Sequence, residues 1–189
     1  DTKFKEIGIA MLQANWMLDS GTNVAFLYDR RRTPPLQVSN VSAAWSGLGV
    51  GDLLGQGTSY PELLSQAKAL TPVSDLLSLG VTHPITAKWQ VGADVKLSRV
   101  SGTQAVGQLG ASPDNGNLWV YTVQGIGTGL FAANDVLVSS VSLNRSRPFD
   151  GVSAALAYVR VIDRWRLEAN LKYYDQTDLN DVHLRRWTP

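Results

Sequence analysis

One ten-residue pattern, used twice, constrains this chain more than any other feature. The first copy runs Lys88-Trp89-Gln90-Val91-Gly92-Ala93-Asp94-Val95-Lys96-Leu97, and the second Arg164-Trp165-Arg166-Leu167-Glu168-Ala169-Asn170-Leu171-Lys172-Tyr173. In both, odd-numbered residues are apolar and even-numbered residues are polar, charged or Gly. A period of two is the mark of a β-strand with two unlike faces, and apolar residues at helical spacing are absent from both copies.

Alternation alone does not say which face is inside. A soluble sheet turns its apolar face to a core; an outer-membrane barrel turns it to lipid and lines a wet lumen with the polar face. Three details point to lipid. The stripe from Trp165 to Tyr173 is uninterrupted, and at roughly 3.3 Å per residue it extends about 26 Å. Tilted as barrel strands are, it crosses about 20 Å of bilayer, close to the usual apolar band. Trp and Tyr at stripe ends suit the aromatic girdles at membrane interfaces. Finally, Arg164, Arg166, Glu168 and Lys172 share one strand face, and so many charges together need water or partners. Trp89, Val91, Val95, Trp165, Leu167, Leu171 and Tyr173 are therefore read as lipid-facing. Lys88, Gln90, Asp94, Lys96, Arg164, Arg166, Glu168, Asn170 and Lys172 are read as lumen-lining.

Bulk properties agree with a barrel and exclude several other classes. The 189 residues are 44% hydrophobic and carry a net charge of +1, with a mean hydropathy of −0.07 and a pI near 8.2. No apolar run reaches transmembrane-helix length, whereas barrel strands dilute their apolar residues by alternation. The charge is too balanced to argue for nucleic acid. Cys is absent, which removes disulfides, Cys-based zinc sites and Cys nucleophiles. The start at Asp1, with no basic or apolar leader, suggests a mature chain or a piece of a longer one.

Along the chain, 6 to 18 and 23 to 30 read as a hairpin across Asp19-Ser20-Gly21-Thr22. The period then lapses from 31 to 84. Pro34-Pro35 cannot sit in a central strand, and 39 to 58 is rich in Gly and Ser, with Trp45 its one large aromatic. Ser59, Pro61 and the face Leu63, Leu64, Ala67 and Leu70 predict a helix. Thr71-Pro72 predicts a second over Leu76 and Leu77, stopping at Gly80. The non-strand insertion 34–84 is either a lumen plug or a solvent-side excursion. Further strands are predicted at 85–99, 117–131, 136–145, 152–162 and 164–175, with an eighth opening at 182–187. Gly125, Gly127 and Gly129 alternate along the fourth, as a close approach or a weak point would require.

The reading is all-β: an up-and-down antiparallel transmembrane β-barrel, or part of one, with seven to eight strands and a helical insertion between strands 2 and 3. Residues 1–189 form a single domain in this reading. The connections at 133 and 163 fall on the same side as the insertion. Those at 19–22, 101–116, 146–150 and 176–181 fall on the other. Because outer-membrane barrels keep short turns in the periplasm, 133 and 163 are placed there. The insertion then enters from the periplasmic side, and 101–116 faces outward.

The stretch Tyr28-Asp29-Arg30-Arg31-Arg32-Thr33-Pro34-Pro35-Leu36-Gln37-Val38-Ser39-Asn40, the Leu-rich helical insert after it, and Pro84-Ile85-Thr86-Ala87-Lys88-Trp89-Gln90 resemble a known family. They are similar to the barrel part of large outer-membrane proteins of Gram-negative bacteria, in which a tetratricopeptide-repeat region in the periplasm precedes a C-terminal β-barrel. The resemblance covers about residues 20 to 175. It implies an outer-membrane location and, for several members, export of exopolysaccharide. Such barrels end on a strand whose last residue is aromatic, whereas this chain ends Arg186-Trp187-Thr188-Pro189, so the closing strand is expected to lie outside it.

Catalytic motifs are missing. His83 and His183 lie beside no carboxylate cluster, so no metal is expected. Gly47-Leu48-Gly49-Val50-Gly51 lacks the Lys of a phosphate loop, and no Ser sits in a nucleophile elbow. Asp94 and Glu168 have cationic neighbours, so ion pairing explains them better than acid–base work. Arg30-Arg31-Arg32 is a solvated strand end, or a contact for anionic headgroups or substrate. No enzyme activity and no cofactor are expected. The expected partners are a lipid bilayer, a polysaccharide or other polar polymer, and other chains of an outer-membrane assembly. The function read from this is a channel or export conduit for a polar solute or polymer. The alternatives are a plugged structural anchor in the outer membrane and a soluble calyx-type barrel holding an apolar ligand.

Overall fold

The structure is a computed structural model that describes residues 8–32, 38, 46–106 and 110–189. Among these, nine strands form one antiparallel sheet in sequence order. They are β1 (Gly8–Met17), β2 (Asn23–Arg32), β3 (Ser74–Pro84), β4 (Trp89–Val100), β5 (Asn117–Thr128), β6 (Asp135–Arg145), β7 (Phe149–Ile162), β8 (Trp165–Asp178) and β9 (His183–Thr188). The all-β up-and-down architecture is as the alternation implies. Glu6, Pro34, Pro35 and Trp45 lie outside the described residues.

Among the described residues between β2 and β3, two helices can be given in full: α1 (Val50–Gly55) and α2 (Tyr60–Leu70). The predicted start of α2 is present. Ser59 Oγ accepts the Glu62 N–H at 3.4 Å, and Pro61 occupies the first turn. Helix α1 was hidden in a Gly-rich stretch. The Asp52 carboxylate caps it by accepting the Gly49 N–H at 3.2 Å.

The second predicted helix is a correction. Residues 74 to 84 form β3 instead, so 34–84 is not wholly a non-strand insertion and the sheet has nine strands rather than seven or eight. Adjacent Leu76 and Leu77 suggested a helix face, but Leu77, Leu79 and Val81 alternate with Ser78, Gly80 and Thr82. That period of two prevailed over the Thr-Pro start signal.

The extra strand also corrects the sidedness. In an antiparallel sheet, successive connections alternate between its ends. The connections 18–22, 85–88, 129–134 and 163–164 therefore share one end. The other end carries 146–148 and 179–182. The turn 18–22 is thus on the same end as the turns at 133 and 163, not opposite them. All four connections at the first end are short.

Contacts gather into two units. One comprises Asp1–Met11, Tyr28–Leu76 and Ser98–Gly116. Its core is Val38, Leu53, Leu63 and Ala67, with Leu48, Val50 and Leu64 packed against them. The other comprises Leu12–Leu27, Leu77–Leu97 and Asn117–Pro189. Among the described residues, no hydrophobic side chain of this second unit is fully buried.

Candidate functional site

Strand register assigns the side chains of the second unit to two faces. Residues directly opposite in an antiparallel pair project on the same side. Gly125↔Ser139, Val123↔Val141, Ser139↔Leu156, Val141↔Ala154, Leu156↔Leu171, Ala154↔Tyr173 and Tyr173↔Trp187 form continuous rows across β5 to β9. Strand β4 joins this face, because the Trp89 ring lies 3.8 Å from where a Cβ on Gly125 would stand. The apolar set read from the sequence (Trp89, Val91, Trp165, Leu167, Leu171 and Tyr173) is therefore one face, with Val95 in the same alternation. Leu77, Leu79 and Val81 of β3, missed because a helix was predicted there, are also exposed apolar side chains.

On β5 to β7 the apolar face is the more exposed one, whereas on β8 both faces are exposed, Arg166, Glu168, Asn170 and Lys172 included. Val123 is 64% exposed, Leu167 54% and Leu171 45%. Across the backbone, Thr122, Gln124, Ser140, Ser142, Ser153 and Ala155 are only partly exposed. Small residues Gly125, Ser139 and Ala154 floor a shallow apolar hollow of about 540 Å³, walled by Val123, Val141, Leu156, Leu171, Tyr173 and Trp187.

Aromatic and ionic groups bound the apolar face. Trp119 stacks on Tyr121 at 6.0 Å, and the Tyr173 and Trp187 rings lie 4.6 Å apart. Beyond them, Asp175 Oδ2 accepts from the Tyr173 hydroxyl at 3.0 Å and from Arg185 Nε at 3.0 Å. Toward the short-turn end, Phe131 meets Tyr158 edge-on at 6.0 Å. There the buried Asp135 carboxylate accepts the Leu130, Phe131 and Ala132 N–H groups, each at 2.8 Å, and the Tyr158 hydroxyl at 3.3 Å. Sequence reading missed Asp135; its position just after the turn Ala132–Asn134 was the available signal.

The polar set divides. Gln90, Asp94 and Lys96 share a face with Gly92, whose Cβ position would stand 3.0 Å from Gln124 Nε2. Arg166, Glu168, Asn170 and Lys172 share the opposite side of β8 from Leu167 and Leu171. Lys88 and Arg164 lie in turns, and Lys88 Nζ donates to the Gly129 carbonyl at 2.7 Å. Lys96 pairs with Asp94 at 3.4 Å, and Arg166 pairs with Glu168. These exposed pairs along a strand neutralise both carboxylates and contribute about 0–1 kcal/mol each. Lys172 stands opposite Thr188, and Tyr174 opposite Arg186. With Gln176 and Leu184 they line a hollow of about 400 Å³ that sequence reading did not single out.

The arginine run is not one cluster. Arg30 pairs with Asp75 at 3.6 Å, Arg31 with Asp29 at 2.7 Å, and Arg32 Nη2 donates to the Lys68 carbonyl at 2.9 Å. His83 and His183 each hydrogen-bond a threonine, Thr22 at 2.7 Å and Thr177 at 2.9 Å. Among the described residues, no group of His, Asp and Glu side chains converges to hold a metal ion. No helix there is long and apolar enough to cross a membrane, which says nothing of crossing by strands. Comparison with known proteins finds no matching family model, no similar curated protein and no similar solved structure.

Proposed function

We propose that this sheet is wall material of a transmembrane β-barrel in a bacterial outer membrane, and that the barrel conducts a polar solute or polymer. One observation carries the reading. Val123, Val141, Leu156, Leu171 and Trp187 in the registered rows across β5 to β9 stay exposed, while the hydrophobic core of the described residues lies in the helical unit. An apolar band of this extent in water would be an association site. In a bilayer it is the outer surface, and the aromatic residues near its ends suit the interfaces. The polar face, with its carboxylates paired and Lys172 and Arg186 beside Tyr174, then faces water and suits passage of polar material with some preference for anions. The resemblance to exopolysaccharide exporters finds no match, so the proposal rests on the two faces.

Membrane fractionation and planar-bilayer recording test both parts. Release from membranes should require detergent, and the purified protein should give stepwise ion conductance. Recovery in buffer without detergent overturns the membrane reading. Silent bilayers overturn the conduit and leave the anchor. Because Ser74–Pro84 is a strand, a plug test must excise only residues within 46–70; a rise in conductance is the result a plug requires.

A further inference from the structure

We propose that Lys172, Tyr174 and Arg186 bind the carboxylate or phosphate group of a hydroxyl-bearing solute and so give the conduit its selectivity for anions. This assignment rests on the membrane reading above and adds the side chains that choose the solute. The three line the hollow of about 400 Å³ on the polar side of β8 and β9, with Gln176, Leu184 and Thr188.

Charge on this part of the sheet has one sign. Two neighbouring rows cross β5 to β9. One runs Thr122, Ser142, Ser153, Tyr174 and Arg186; the next runs Gln124, Ser140, Ala155, Lys172 and Thr188. Residues opposite each other in antiparallel strands project to the same side, so both rows belong to one face. Lys172 and Arg186 are the charges in these rows, and no carboxylate stands among them. On the flanking strand positions, Glu168 is taken by Arg166. Among the described residues, neither Lys172 nor Arg186 has an ion-pair partner.

The two cations are diagonal neighbours across β8 and β9, because Lys172 faces Thr188 and Tyr174 faces Arg186. Such neighbours stand roughly 7–8 Å apart. Like charges at that range repel, and an oxyanion held between two long side chains cancels the repulsion while accepting from both. Arg offers a planar fork that fits carboxylate or phosphate, and Lys a mobile point charge. Tyr174, 42% exposed beside both, adds an apolar ring for the carbon skeleton and a hydroxyl at its tip. The Ser and Thr hydroxyls and Gln124 of the same rows continue as neutral hydrogen-bonding groups away from the cations. An anion that also carries hydroxyls fits this arrangement better than an apolar acid. Arg185 supplies the contrast: one residue from Arg186, it lies on the other face and donates to Asp175 Oδ2 at 3.0 Å.

Planar-bilayer recording of the intact purified chain in a potassium chloride gradient of low ionic strength tests the proposal. At roughly 7 Å in water, one unit charge changes the local anion concentration about threefold. Lys172→Gln and Arg186→Gln should therefore each lower the anion-over-cation permeability ratio, read from the reversal potential, by about twofold or more. Arg185→Gln removes the same charge from the other face and should leave the ratio unchanged. Glucuronate or glucose 6-phosphate should interrupt the chloride current and glucose should not; which acid acts separates a carboxylate from a phosphate ligand. Circular dichroism checks that each variant is folded. A channel that conducts but prefers cations, equal ratios in Arg186→Gln and Arg185→Gln, or no block by either acid overturns the proposal and leaves the conduit standing. Silent bilayers overturn the conduit and this site with it.

Discussion

Leu156 of β7 lies directly across from Leu171 of β8, and each leaves 45% of its surface exposed. A cross-strand leucine pair is the kind of contact that a soluble sheet buries. Here the pair has Ala154, Val141 and Tyr173 as same-face neighbours and no covering layer among the described residues.

On the proposed membrane reading, Leu171→Arg should destabilise the protein in a bilayer by about 2–4 kcal/mol, the cost of a cation near the midplane of a barrel's lipid face. Asn170→Arg, one residue away on the opposite face, should cost much less. Urea unfolding in lipid vesicles measures both. Equal effects of the two would remove the distinction between the faces.

Asp135 organises the turn between β5 and β6 by accepting three backbone N–H groups at once. Asp135→Ala leaves all three without that partner and should lower the thermal midpoint by several degrees. Hydrogen exchange should locate the loss at residues 130–132. Protection unchanged there would mean that water replaces the carboxylate at no cost.

Asp178 closes the β8–β9 turn by accepting the Asn180 N–H at 2.8 Å and the Val182 N–H at 2.9 Å. These two bonds hold its carboxyl below the ordinary value of 3.8, against a smaller opposing effect of burial. A lowered folded pKa means that its contribution is complete above 3.8 and fades as pH falls through the lower folded value. The stability gap between the native protein and Asp178→Ala should be constant near neutrality and close below about pH 3.8. A gap independent of pH would show that the carboxylate charge is not what holds the turn.

A Cβ on Gly102 would stand 2.7 Å from the Ser112 carbonyl oxygen and 2.9 Å from the Asp114 nitrogen, both backbone atoms that cannot swing aside. Gly102→Ala should cost about 1–3 kcal/mol by overpacking. Gly51→Ala, with open space around it, is its control. If chemical denaturation finds the two equivalent, the 101–116 connection does not approach itself as closely as described.

The three alternating glycines show how far local pattern reaches. Close approach was one of the readings: a Cβ on Gly125 would stand 3.2 Å from Ser139 Oγ across the sheet, and one on Gly127 would clash with Leu130 of the following turn. Gly129, by contrast, sits in the turn at a φ of 63°. No periodicity separates those roles, because they depend on a cross-strand neighbour, a turn side chain and backbone dihedrals. Likewise, the adjacent Leu76 and Leu77 are ambiguous in sequence, and the alternation from Leu77 to Thr82, joined by pairing with flanking strands, makes Ser74–Pro84 extended.

The amino-acid order by itself determined the strands β1, β2 and β4 to β9, since a period of two leaves side chains no other arrangement. It also determined α2, whose cap and apolar stripe are local signals. Tertiary structure decided the rest. One more strand moved the turn 18–22 to the same end as the turns at 133 and 163, because side is a matter of parity along the chain. Cross-strand register decided which residues share a row. Those are relations between residues far apart in sequence, and no local pattern encodes them.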